Sequence, residues 1–397
     1  MLGHNRGMST TVRAPAAAGL LLVAVTALLV SGCGDGAPEV GGATVTAEPS
    51  DDGPSDDGPS DDGPSDDGSE PDPPARPEVV ATVADGLSVP WGIDFLPDGS
   101  AIVTERDTTR VLRITADGEV DELGRVGAEP EGEGGLLGVA VSPDFVTDSF
   151  VYLYLTTAED NRVVRVPYDG ARLGDPEVVL DGIPNGFIHD GGRLAFGPDG
   201  MLYVSTGETG EPSLAQDRDS LGGKILRVTP DGEPAPGNPF AGSPVWSWGH
   251  RNVQGLAFDD DDRLWASEFG DSTWDELNRI EKGDNYGWPE VEGQGNREEL
   301  TDPQVVWRTE DASPSGLAYL DGHVWMAALR GARLWRVDVS TGTAKDPQDF
   351  FVGDYGRMRA VVVAPDGNLW VTTSNRDGRG EPAAQDDRIL VVDVNGG

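Results

Sequence analysis

The chain of 397 residues reads as an all-β protein, a six-bladed β-propeller of four-stranded blades. Three observations predict this. One unit, an apolar triplet, a Pro-Asp-Gly-like turn and a second apolar strand, occurs six times at intervals of roughly 45 to 60 residues. A third strand, often led by arginine, follows in every copy. No helical period is found beyond the N-terminal apolar run, and short strands joined by tight turns are the mark of an all-β chain. A two-sheet sandwich is the alternative architecture, but it has no need of the same turn six times.

Residues 1–33 read as an export signal. Arg6 and Arg13 precede an apolar run from Ala16 to Val30, too short to span a bilayer comfortably. The run ends Leu29-Val30-Ser31-Gly32-Cys33, which resembles a bacterial lipoprotein cleavage box, and Cys33 is the single cysteine in the chain. Acylation of Cys33 after cleavage is therefore expected, with the mature protein extracytoplasmic and held to the cell membrane by its lipid alone. Residues 34–78 form an Asp/Gly/Pro/Ser-rich tether built on Asp-Asp-Gly-Pro-Ser repeats. Dense negative charge with few apolar groups cannot offset the entropy of ordering, so this segment is expected to be a disordered spacer.

The propeller is expected over residues 79–397. Its six first strands and turns are Ile93 to Gly99, Val139 to Phe145, Leu194 to Gly200, Leu256 to Asp261, Leu317 to Gly322 and Val361 to Gly367. The third strands begin at Arg110, Arg162, Lys224, Glu276, Arg333 and Arg388. Val79 to Val83 or the C-terminal strand is expected to complete a blade begun by the other terminus, which leaves no open edge. A formal net charge of -41 excludes nucleic acid as a partner, because the phosphates would be repelled.

Propellers bind ligands on loops at one mouth of the central channel. The glycine-rich run Asn185 to Gly192 places His189 where little else obstructs approach, and a histidine is readily kept deprotonated near neutrality. Segments carrying Glu133, Arg251 and Arg357 precede other first strands at equivalent places, so all four are expected to converge. Three arginines, Arg251, Arg357 and Arg359, around one channel imply an anionic ligand. The plainer reading pairs each of them with the abundant Asp and Glu.

Taken together, His189-Asp190-Gly191-Gly192-Arg193-Leu194, Gly249-His250-Arg251-Asn252-Val253-Gln254-Gly255, Asp275-Glu276-Leu277-Asn278, Asn285-Tyr286-Gly287-Trp288-Pro289 and Arg357-Met358-Arg359 resemble the soluble glucose/sorbosone (aldose sugar) dehydrogenases that use pyrroloquinoline quinone, PQQ. The resemblance runs from Val79 to the C-terminus. It implies oxidation of an aldose to its lactone, with hydride passing to the quinone and electrons to an external acceptor, a quinone or a cytochrome. His189 matches the base, Arg251 the group that polarises the quinone carbonyl, and Glu208 the acid that orients the histidine. Glu133, Asn252, Arg330, Arg357 and Arg359 match cofactor contacts. Ca²⁺ beside the quinone would be held by the carbonyls of Gly270 and Asp271, and a second Ca²⁺ by Glu276 and the Tyr286 carbonyl. Glu133 stands where the family has glutamine, Glu208 where it has aspartate and Arg330 where it has lysine, so the bed of the cofactor is altered. Two other classes stay open at this level: a calcium-dependent, lactonase-like hydrolase, and a propeller that binds a ligand without reaction.

Overall fold

The computed structural model describes residues 76–395. The expected signal, Cys33 and all but the last residues of the tether lie outside the described residues. What is described is a ring of six four-stranded antiparallel sheets. Only two helical turns interrupt it, Phe145–Asp148 and Ser213–Gln216.

The first blade takes its strands from Pro90–Phe95, Ala101–Glu105, Arg110–Ile114 and Val120–Arg125. Four further blades repeat the pattern, with innermost strands Leu136–Val141, Leu194–Phe196, Val253–Phe258 and Pro314–Leu320. The sixth runs Met358–Val363, Leu369–Thr373, Ile389–Asp393, and is completed by Glu78–Ala84 from the other end of the described chain. That closure pairs Glu78 with Asp393 and Ala84 with Ile389. An edge that would otherwise expose unpaired N–H and C=O groups is thereby covered.

The repeat has a physical reason. Inner strands are buried on both faces, as in Ala101–Glu105 and Leu264–Glu268, because each blade packs between two others. Their residues are consequently Val, Ile, Leu, Ala and Trp in near-continuous runs. One inter-blade core gathers Trp91, Leu137, Tyr152, Tyr154, Leu194 and Val204, drawn from three successive blades. The arginine of the third strand reaches back to the aspartate of the first turn: Arg113 to Asp98 at 3.1 Å and Arg227 to Asp199 at 2.7 Å. The outermost strands vary, Lys345–Phe350 being polar and almost wholly exposed and Val245–Trp248 apolar and partly buried.

The Pro-Asp-Gly turns lie at one end of the channel. At the other end lie the loops that enter each first strand and those that join second to third strands. Deleting residues 76–84 should uncover Ile389–Asp393, lower the melting temperature and promote association, read by thermal denaturation and size-exclusion chromatography; an unchanged monomeric melt would contradict the role of this strand as the closing one.

Candidate active site

Ten of the residues lining a cavity of about 470 Å³ at the loop end are Glu133, His189, Arg251, Asn252, Gly270, Asp271, Asp275, Arg330, Arg357 and Arg379. They come from the second to the sixth blades and the loops that enter them. Eight of the nine residues expected from the sequence to serve the base, the cofactor or its calcium at this mouth and to touch a ligand directly, namely Glu133, His189, Arg251, Asn252, Gly270, Asp271, Arg330 and Arg357, are brought together here. Arg359 is set deeper, in a small space beneath, with Trp91, Gln254 and Asp377.

His189 sits on a turn fixed from several sides. Its φ of 60° is left-handed, a conformation unusual for a residue with a side chain, and Gly191 and Gly192 follow at φ 64° and 103°. The glycines are obligatory: a Cβ on Gly207 would lie 1.9 Å from the His189 carbonyl oxygen, and one on Gly191 2.5 Å from Thr206 Cα. The His189 N–H donates to Glu133 Oε2 at 2.9 Å, and the Gly191 N–H donates to Asn252 Oδ1 at 3.0 Å. The Asp190 side chain points away from the cavity, accepting from Asn161 Nδ2 at 2.9 Å and the Gly186 N–H at 3.1 Å. Burial pushes its carboxyl up to about 6.

The imidazole itself is held by Glu208, whose Oε1 lies 2.5 Å from His189 Nδ1. Glu208 is 1 % exposed. A carboxylate on Nδ1 keeps the ring proton there and leaves the lone pair on Nε2, which has no protein partner among the described residues. The extra methylene of glutamate is thus accommodated without loss of the bond. The backbone closes the arrangement, because the Glu208 N–H donates to the Arg251 carbonyl at 2.9 Å.

The plainer reading of the arginines holds in part. Arg251 Nη2 lies 3.2 Å from Asp271 Oδ1, Arg357 Nη2 2.9 Å from Asp377 Oδ2 and Arg359 Nη2 3.5 Å from the same oxygen. Arg251 Nε is buried without a partner, and its guanidinium lies 5.4 Å from the Trp288 ring. Arg330 has no carboxylate partner among the described residues. Burial raises the Asp377 carboxyl, but the charges of Arg359 and Arg357 outweigh it and hold the group below its usual range. Arg359, buried beside Arg106, is pushed down to about 9 and remains charged near neutrality. Below it Arg193, also pushed down to about 9 by burial and then by Arg359, lies 4.3 Å from the Trp91 ring, with Arg359 at 5.9 Å from that ring.

Glu276 and Tyr286 do not line the cavity. They belong to a buried polar cluster inside the fourth blade, where Glu276 pairs across the strands with Glu268. Asn278 Nδ2 donates to Glu276 Oε2 at 3.0 Å, while Asn278 Oδ1 is buried with no partner. Burial, then the charge of Glu268, pushes Glu276 up to about 8. Tyr286 stacks on His250 at 4.7 Å, and His250 Nδ1 lies 2.8 Å from Glu268 Oε2. Among the described residues no group of three or more His, Cys, Asp or Glu side chains is arranged to hold a metal.

Sequence reasoning missed Asp377 and Arg379. Both lie between the second and third strands of the sixth blade, the place that Glu208 takes in the third blade and Gly270–Asp271 in the fourth. That equivalence was the available signal. Thr309 and Ser313 also line the cavity, at the entry to the fifth blade.

Comparison with known proteins bears on what this mouth serves. The chain is 57 % identical to the PQQ-bound aldose sugar dehydrogenase of Streptomyces coelicolor, covering 81 % of this chain and 99 % of that one with a TM-score of 0.79. It is 35 % identical to an uncharacterised protein of Synechocystis over 77 % of this chain and 86 % of the other. It is 29 % identical to the aldose sugar dehydrogenase YliI of Escherichia coli over 75 % and 91 % of the two chains. The family model described as glucose/sorbosone dehydrogenase matches residues 87–385, which take in every loop of the mouth and all the blades except two strands of the sixth, and the chain belongs to that family.

Proposed function

We propose that the loop mouth is the active site of a PQQ- and calcium-dependent dehydrogenase that oxidises an aldose to its lactone and passes electrons to an external acceptor. The chain is an oxidoreductase of the glucose/sorbosone dehydrogenase family, and its similarity to a PQQ-bound aldose sugar dehydrogenase supports the cofactor. The observation that carries the reading is His189, locked by Glu208 with Nε2 open, in a cavity that four guanidinium groups line.

The donor set suits PQQ. This cofactor is a tricarboxylate, and the cavity offers it Arg330 without a counter-ion and Arg251 with an unpartnered Nε. At about 470 Å³ the space lies within the range of small-molecule sites. Arg330, Arg357, Arg251 and Asn252 would hold the cofactor, with Arg359 acting from beneath through Asp377. When bound, PQQ supplies an o-quinone able to accept hydride from a C–H bond.

The chain's own contribution is proton handling and orientation. His189 Nε2 takes the proton of the sugar hydroxyl, and Glu208 stabilises the imidazolium that results. Arg251 presents positive charge where negative charge develops. Asp275 accepts from the Gly270 N–H at 2.9 Å and fixes the carbonyls that follow. Among the described residues neither the Gly270 nor the Asp271 carbonyl accepts a hydrogen bond, which suits a hard cation that prefers oxygen. In the fourth blade, Glu276, the unpartnered Asn278 Oδ1 and the Tyr286 carbonyl would serve a second Ca²⁺, which would also relieve the Glu268–Glu276 repulsion. Lipid anchoring through Cys33, behind the acidic tether, would keep the catalytic domain outside the cell membrane and near an acceptor.

Purified protein given PQQ and Ca²⁺ should reduce an artificial dye when an aldose is added. Failure across a panel of aldoses, with no PQQ retained, would remove this reading in favour of a hydrolase or a binding protein. His189→Ala should lower turnover by about 10²–10⁴-fold while PQQ is still retained. Glu208→Gln should lower it by about 10- to 100-fold and alter its pH profile, since the imidazolium loses its counter-charge. Asp190 makes a separate contribution to stability. The folded chain keeps a proton on it up to about pH 6 that the unfolded chain releases near 3.8, so this contribution is present below 3.8 and is lost as pH rises through 6. Asp190→Asn should flatten that part of the profile, read as urea midpoints across the window.

A further inference from the structure

The geometry points to Arg379 as a further anchor for the cofactor's carboxylates, poised by Glu133 and Asp377; this rests on the cavity being the quinone site. Arg379 stands between the second and third strands of the sixth blade and lines both the main cavity and the small space beneath it. Its backbone N–H donates to Asp377 Oδ1 at 3.0 Å. The other oxygen of the same carboxylate binds Arg357 and Arg359. One aspartate therefore sets the positions of three arginines.

From that root the Arg379 side chain reaches across the mouth, and Nη1 lies 3.0 Å from Glu133 Oε1. The partner oxygen, Oε2, accepts the His189 N–H at 2.9 Å. Burial pushes the Glu133 carboxyl up, but the His189 N–H and the Arg379 charge prevail and hold it below its usual range. It is thus ionised at neutral pH. An ionised carboxylate only accepts hydrogen bonds, so alone it would repel a tricarboxylate and offer it no donor.

Arg379 corrects both defects. It neutralises Glu133 with one N–H, and its remaining donors are engaged by no other side chain among the described residues. A guanidinium can serve two carboxylates at once, one on each edge of its fork. Its side chain is 59 % exposed, against 18 % for Glu133, so its free edge faces the opening through which a ligand arrives. Glu133 holds Arg379 over the cavity before the cofactor binds, and the cofactor's carboxylate then takes the free edge. The pair also links the cofactor's carboxylate end to the His189 backbone.

The test is equilibrium binding of PQQ in the presence of Ca²⁺, followed by quenching of tryptophan fluorescence, with no sugar present. Arg379→Ala should weaken binding by about tenfold or more, since Glu133 is left uncompensated. Arg379→Lys should recover part of that loss. Glu133→Gln should bind at least as tightly as the unaltered protein, and in the double variant, Glu133→Gln with Arg379→Ala, the loss should be markedly smaller than in Arg379→Ala alone. Because Arg379 is exposed, its variants should melt with the parent, and a shared melting temperature separates weakened binding from misfolding. Binding by Arg379→Ala within about twofold of the parent, or a double variant as weak as the single, overturns the assignment while leaving the quinone reading intact. A parent protein that binds no PQQ overturns that reading and this assignment with it.

Discussion

Pairing of Glu78–Ala84 with Ile389–Asp393 is the constraint on which the molecule depends. Blades in such a ring have no core of their own; each buries its inner strands against its neighbours, and the first and sixth can do so only if the circle is shut. The mouth inherits this. Its cavity draws on five of the six blades, so the separation of its more distant members, such as His189 and Arg357, is set by the packing of blade on blade rather than by any one loop. The loops of such a site are anchored at both ends on packed strands, and catalytic constellations gain from a rigid support.

Within that frame, charge is arranged by sharing. Asp377 serves Arg357 and Arg359, Asp271 serves Arg251, and Glu133 serves Arg379. A chain so rich in acid can therefore keep a cluster of guanidinium groups close together without the repulsion such a cluster would otherwise bring. Pairing does not cancel the attraction for an anion, because each guanidinium has more donors than its partner engages. What pairing does is hold the side chains in place beforehand, which lowers the cost of ordering them when a ligand arrives.

The six blades were legible in the sequence because a similar turn recurs and because inner strands, buried on both sides, are largely apolar. Outermost strands were not legible. Lys345–Phe350 is largely exposed and carries few of the residues by which a strand is recognised, while Glu177–Ile183, though it holds Val178, Val179, Leu180 and Ile183, lacks the alternation of a half-buried strand. At the mouth, His189, Arg251 and Arg357 stand out because glycine-rich or doubly basic segments precede a recognisable strand. Asp377 and Arg379 are hidden in a polar loop where acid and arginine are ordinary. Arg359, read as a partner of Arg357, is placed below it because alternate residues entering a strand differ in depth along the channel axis. Gly207 was equally silent, since its need arises from a histidine carbonyl eighteen residues away in the chain.

Trp91, packed against the guanidinium groups of Arg193 and Arg359 and almost wholly buried, fills the middle of the channel. The axis of the ring is therefore occupied by packed side chains between the small space under the loop end and the recess at the Pro-Asp-Gly end. Whatever reacts above it is reached from the loop end. On the proposed function, donor, product and electron acceptor would take turns there, and a product slow to depart would keep the acceptor waiting outside.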